Sequence, residues 1–258
     1  MRVIWAMARV VILELIRRKD FYVLFTLAAV LTLLAGSVNI FNDRQIARYV
    51  VEINYLLVMI SSLVIAVTTT ARQIPNEFEQ RTLLSLLAKP VSKGQVLAGK
   101  YLGAWVACGL CLVVFYVFMM LLTYTKQHGL GVPLLFQAAW LHWVMLGVVI
   151  GLALAGSLVF AAPSSNATIC LVVVVGWLGV GRYLDKLAFG TAEPLQSVLL
   201  ALYYLLPHLE FFDLRELLIH HWPPVKWGAV AIATLYGWFY MALLYALSCW
   251  LFQRKRMH

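Results

Sequence analysis

Residues 94–101 read GQVLAGKY, and the meaning of this stretch decides the fold. Gly94, Gly99 and Lys100 fall at the spacing of a phosphate-binding loop, G-x-x-x-x-G-K-[ST]. Such a loop works between a strand and a helix, in an α/β domain. Here no strand pattern precedes it, and Tyr101 stands where a Ser or Thr hydroxyl would hold Mg²⁺. No second phosphate motif follows, and the chain leaves no room for an ATPase domain. The stretch runs straight into the apolar segment 97–123 and reads as a helix entering a membrane.

Composition agrees. Of 258 residues, 63% are hydrophobic and 12% charged, against about 45–50% apolar and about 25% charged in a soluble domain. Too few charges remain to coat a water-facing surface. The chain is read as one integral membrane domain, residues 1–258. A span needs roughly 20 apolar residues, and six segments qualify: 21–40, 55–71, 97–123, 139–162, 167–182 and 227–252. The expected fold is all-α, a bundle of six transmembrane helices.

Lys and Arg gather on the cytoplasmic side of membrane proteins. With the N-terminus inside, thirteen basic residues fall inside and seven outside, while four acids fall inside and seven outside. The net charge of +9 is then wholly cytoplasmic. Both termini are placed in the cytoplasm, which six spans allow. Nucleic acid is not needed to explain the charge.

Residues 1–20 lack a small-residue cleavage site before the first span, so they are not read as a signal peptide. At about 100° per residue, Ile4, Trp5, Ala8, Val11, Ile12, Leu15 and Ile16 form one apolar arc, with Arg2, Arg9 and Arg17 opposite. That pattern predicts a helix lying in the membrane interface, the alternative being a simple cytoplasmic extension of the first span.

The segment 72–96 reads RQIPNEFEQRTLLSLLAKPVSKGQV. Pro75 is expected to break the second span. Asn76 then caps a new helix, with Glu79 completing a capping box and Glu77 paired to Arg81 at i, i+4. This helix stops before Pro90. Ser92 and Gln95 form a second capping box that opens the third span. The short charged helix is either a well-capped connection or a docking element for a cytoplasmic partner.

Glu79-x-x-Thr82, Leu86-Leu87, Pro90, Ser92-Lys93 and Gly99-Lys100 together resemble the loop of ABC-2 type ABC transporter permeases. YYLLPHLEFFDL, residues 203–214, is similar to a segment before the last span of some small members. The chain departs from the family at Gln80-Arg81, where many members have a Gly before the Thr. The resemblance implies a non-catalytic membrane subunit of an ATP-driven exporter in a bacterial cytoplasmic (inner) membrane. It implies a cytoplasmic coupling helix on which Glu77, Phe78, Glu79, Arg81, Thr82 and Ser85 contact a separate ATPase. ATP and Mg²⁺ would be bound there, not by this chain. Expected partners are two ATPase copies, a second permease copy or a paralogue, membrane lipids and an accessory extracytoplasmic protein. The family arrangement lines the path with the second and fifth spans. Thr68, Thr69 and Thr70 are then candidate liners, unless their hydroxyls bond back to their own helix.

Other features have local readings. Gly99, Gly103, Ala107 and Cys111 make a small-residue stripe suited to helix packing, as do Gly147 and Gly151. Lys100 is expected to snorkel to headgroups. The outside segment 183–226 holds PLQSVLLALYYLLP, too short to span and read as a re-entrant or interfacial helix, then LEFFDLRELLIHHWPP, read as one amphipathic helix. His208, His220 and His221 lie near Glu210, Asp213 and Glu216, but without metal-ligand spacing, so no metal is expected. His142, between Trp140 and Trp143, is assigned to the outer aromatic belt. The four cysteines read as buried thiols. No span carries an obvious Asp or Glu, which argues against an ion-coupled carrier. A secondary carrier or a membrane assembly factor remains the alternative.

Overall fold

A computed structural model describes residues 2–17, 19–37, 43–79, 92–126, 131–189, 193, 195–220 and 222–254. In chain order the helices are α1 (Arg2–Arg17), α2 (Lys19–Ser37), α3 (Asp43–Glu79), α4 (Lys93–Lys126), α5 (Val132–Val159) and α6 (Pro163–Phe189). Then come α7 (Leu195–Leu205), a 3₁₀ turn (Leu209–Phe212), α8 (Arg215–Ile219) and α9 (Trp227–Arg254). Among the described residues there is no strand, so the fold is an all-α membrane bundle.

Segments Val51–Glu77, Lys93–Leu121, Val132–Val159, Leu195–Ile219 and Trp227–Arg254 are long and apolar enough to cross a membrane. Leu195–Ile219 is not one helix, because the chain leaves α-helical form between Leu205 and Arg215, around Pro207. Tyr22–Leu31, inside the first expected span, and Pro163–Gly179, overlapping the fifth, are shorter apolar helices.

The bundle is built around α5. Nineteen of its 28 residues are buried, as befits a helix that is apolar on every side. It packs against α3, α4, α6 and α9. Gly147 and Gly151 admit two neighbours at once. A Cβ on Gly147 would lie 2.6 Å from the Met241 methyl of α9 and 3.1 Å from the Trp105 indole of α4. One on Gly151 would lie 3.0 Å from Leu244 Cβ. Trp105 and Trp143 stack at 4.4 Å and each donates its indole N–H to the other's carbonyl, at 2.9 Å.

Three expectations need correction. First, α3 does not break at Pro75; it runs on to Glu79, so Asn76 caps nothing. A proline removes one hydrogen bond, to the carbonyl four residues back. Pro75 lies in the last turns of the helix and is buried among neighbours, where that loss is tolerated. Second, the stretch after Pro207 is two short helices, not one amphipathic helix. Asp213 interrupts it, its Oδ1 accepting a bond from the Arg215 amide at 3.0 Å. Third, the apolar arc of α1 does not simply face lipid. Ala8, Val11 and Leu15 are buried against α4, while Trp5 is 65% exposed.

Candidate functional site

Residues 80–91, which hold Arg81, Thr82 and Ser85, lie outside the described residues, as do the side chains of Phe78 and Glu79. The helices on either side of that segment are described as far as Glu77 and from Ser92. Its far side opens with the capping box read from sequence: Ser92 Oγ accepts from the Gln95 amide, and Gln95 Oε1 accepts from the Ser92 amide, both at 3.2 Å. Residues 93–101 are helix, so the stretch does not take the form of a phosphate-binding loop.

Lys100 turns inward instead of snorkelling outward. Its side chain is 7% exposed and its Nζ stands 2.8 Å from Glu77 Oε1. The same Nζ donates to the Gln73 carbonyl at 3.2 Å. One buried ammonium on the second turn of α4 thus holds the last two turns of α3. Glu77, the first of the residues assigned to ATPase contact, is the acid that it holds. Beside the pair, the Gln73 side-chain amide and Glu77 Oε2 are enclosed and make no hydrogen bond among the described residues.

The start of α4 is tied on its other flank to the end of α9. Tyr245 donates to the Gly94 carbonyl at 2.9 Å, and Lys93 donates to the Phe252 carbonyl at 3.3 Å while lying over the Phe252 ring. Tyr101 donates to the Gly147 carbonyl of α5 at 2.8 Å. On the third side lies α1. A Cβ on Gly99 would come within 2.7 Å of Met7 Cβ, and one on Gly103 within 2.8 Å of Ala8 Cα. The small-residue stripe of the third span therefore receives α1 of the same chain. Four helices, α1, α3, α4 and α9, converge below the loop.

The three threonines of α3 lie two turns above Glu77. The Thr68 and Thr70 hydroxyls donate back to the Val64 and Ala66 carbonyls, each at 2.7 Å. Thr69 is 7% exposed and Thr70 fully buried within the chain.

A second polar group lies inside the bundle, where sequence alone placed an aromatic belt. His142 is 1% exposed. Its Nε2 lies 2.8 Å from Ser62 Oγ of α3, and its Nδ1 lies 3.3 Å from the Tyr116 hydroxyl of α4. The Ser62 hydroxyl donates to the Met59 carbonyl at 2.9 Å, so its oxygen is left to accept from Nε2–H. Nδ1 then accepts from Tyr116. This order of donors assigns a neutral imidazole bridging three helices. Tyr55 and Asp213 neighbour Tyr116, which extends the polar group toward α8.

Beyond α7, His208 Nδ1 lies 2.9 Å from Glu210 Oε1 and its ring packs on Tyr203 at 4.3 Å. Its backbone amide donates to the Tyr236 hydroxyl of α9 at 2.9 Å. His220 turns instead to Glu216 and Trp222. The described residues contain no group of three His, Cys, Asp or Glu fit to hold a metal. Cys108, Cys111 and Cys170 are buried free thiols.

Residues 1–257 match the family model described as ABC-2 family transporter protein. No curated protein matches the chain.

Proposed function

The chain belongs to the ABC-2 transporter family, and on that premise we propose that it is the permease of an ATP-driven exporter, moved by a separate ATPase docked on residues 72–96. It is a multi-pass membrane transport subunit; the chemistry of ATP belongs to the partner. The observation that carries this reading is the buried Glu77–Lys100 pair. A loop that passes force must stand on a stiff base. The two helices that flank residues 80–91 are joined by a buried ammonium, and α4 is braced by α1 and α9. A push on the loop then moves α3 as a unit. At about 1.5 Å per residue, the 37 residues of α3 extend roughly 55 Å, longer than the ~30 Å hydrocarbon core. The motion therefore reaches the far side, where α3 packs against α8.

Two copies, or this chain and a paralogue, would enclose the path between them. Glu79→Lys tests the docking face. Glu79 ends α3, where the helix dipole favours a cation, so within the chain the change costs nothing through the dipole; opposite a basic group of a partner it costs several kcal/mol. The expected result is a protein that inserts at parental level and loses its co-purifying ATPase. Equal ATPase yield from parent and variant overturns the assignment of this face.

A further inference from the structure

Two apolar grooves flank the first half of α5. One, of about 390 Å³, runs between α4 and α5; the other, of about 450 Å³, runs between α5 and α9. Phe136 and Trp140 line both, so the two lie side by side on α5. Along α9 the groove extends from Trp227 to Trp238. Eleven residues of helix rise about 16 Å, which is half of the ~30 Å hydrocarbon core. The groove is one leaflet deep.

Its polar side chains Thr234 and Trp140 already bond within the protein, as does the neighbouring Gln137. The Thr234 hydroxyl donates to the Val230 carbonyl at 2.8 Å and accepts from Trp140 Nε1 at 3.0 Å. The Gln137 amide is used at both ends by the backbone of Val225, at 2.8 and 3.0 Å. Those two bonds pin the chain just before α9. They fix Lys226 at the end of the groove, beside Trp227. Lys226 is exposed and makes no ion pair with any acid among the described residues.

We propose that this groove is a binding site for an anionic phospholipid, with an acyl chain along Phe136, Trp140, Trp227 and Trp238 and the phosphate at Lys226. Each part follows from the chemistry in place. A slot of leaflet length with indole walls fits an alkyl chain that enters from the bilayer. A lone cation at one end, held at the level where the alkyl chain must stop, fits a headgroup with net negative charge. A zwitterionic headgroup brings its own ammonium to the same place and gains less there. The proposal stands whether or not an ATPase drives the chain.

Quenching of tryptophan fluorescence by bromine tests it. The purified full-length chain is placed in phosphatidylcholine bilayers doped with either phosphatidylglycerol or phosphatidylcholine carrying dibrominated acyl chains. One basic residue near an anionic surface contributes enough for a roughly fivefold preference. Half-quenching is therefore expected at about a fivefold lower fraction of the brominated anionic lipid. Lys226→Gln should bring the two curves together, and Lys226→Arg should keep them apart. Replacing Trp140 and Trp227 by Phe should reduce the amplitude of the anionic-lipid component. The comparison of Lys226→Gln with the parent removes the contribution of tryptophans elsewhere in the chain. Coincident curves in the parent overturn the proposal, and so does a preference that survives Lys226→Gln. Groove tryptophans that neither lipid quenches also overturn it, since protein such as a second copy of the chain would then cover the site.

Discussion

Removing Glu77 should harm the bundle more than removing Lys100, although both changes break the same pair. At 2.8 Å and an effective dielectric constant of about 20, the attraction is roughly 6 kcal/mol before desolvation is subtracted. What a variant loses depends on the charge left behind. Glu77→Gln leaves the Lys100 ammonium, 7% exposed, with only the Gln73 carbonyl for company. An uncompensated buried charge costs about 3–5 kcal/mol. Lys100→Met leaves the Glu77 carboxylate, whose side chain is 24% exposed. Water reaches it, and screening reduces the loss to about 2 kcal/mol. The double variant has no orphaned charge and should recover at least part of the Glu77→Gln loss. Thermal denaturation of the solubilised protein reads this out. At about 2–4 °C per kcal/mol, Glu77→Gln should lower Tm by roughly 6–20 °C and Lys100→Met by roughly 4–8 °C. The reverse order, or a double variant that simply adds the two losses, would refute the claim that this pair joins α3 to α4.

Three further outcomes follow from the packing. His142→Phe leaves the Tyr116 hydroxyl without its acceptor and should cost about 1–3 kcal/mol; adding Tyr116→Phe should return part of it in the same melting experiment. Gly103→Val drives a Cβ against the backbone of Ala8, at 2.8 Å from Cα and 2.9 Å from the carbonyl oxygen. Overpacking of this kind costs about 1–3 kcal/mol, so trypsin should cut at Arg9 or Arg17 faster than in the parent. Gly176→Val, which meets nothing within 4 Å, should leave cleavage unchanged. Reporter fusions at Gln127 and near Gly190 should report the outside and one near Lys93 the inside, and a reversal at any of the three sites would contradict the charge distribution.

What the sequence carried legibly was local. Ser92 and Gln95 lie three residues apart, and the capping box forms as written. The apolar arc of α1 and the glycine stripe of α4 are helix faces, fixed by periodicity. That the two faces meet was not legible, because Ala8 and Gly103 are joined only by tertiary packing. Lys100 looked like a snorkelling lysine for the same reason: Glu77 stands on another helix, beyond the loop. His142 was assigned to a belt by its tryptophan neighbours in sequence, yet Ser62 and Tyr116 reach it from two other helices. Pro75 misled in a different way. Its breaking strength is a rule for helix interiors in water, and α3 carries it in its last turns within a packed bundle. Asp213 shows the converse, a short polar side chain whose bond to the Arg215 amide divides what periodicity read as one helix.

The central claim is that a separate ATPase sits on the loop between α3 and α4. Thr82 lies in that loop, and a photo-reactive amino acid placed there tests the claim most directly. The full-length chain would be cross-linked in its native membrane, purified, and its adducts identified by mass spectrometry. The account predicts a dominant adduct with a protein that carries a complete phosphate-binding loop, lost when Glu79→Lys is combined with the probe. Adducts with lipid or with the chain itself alone, and no ATPase at any level of cross-linking, would contradict it.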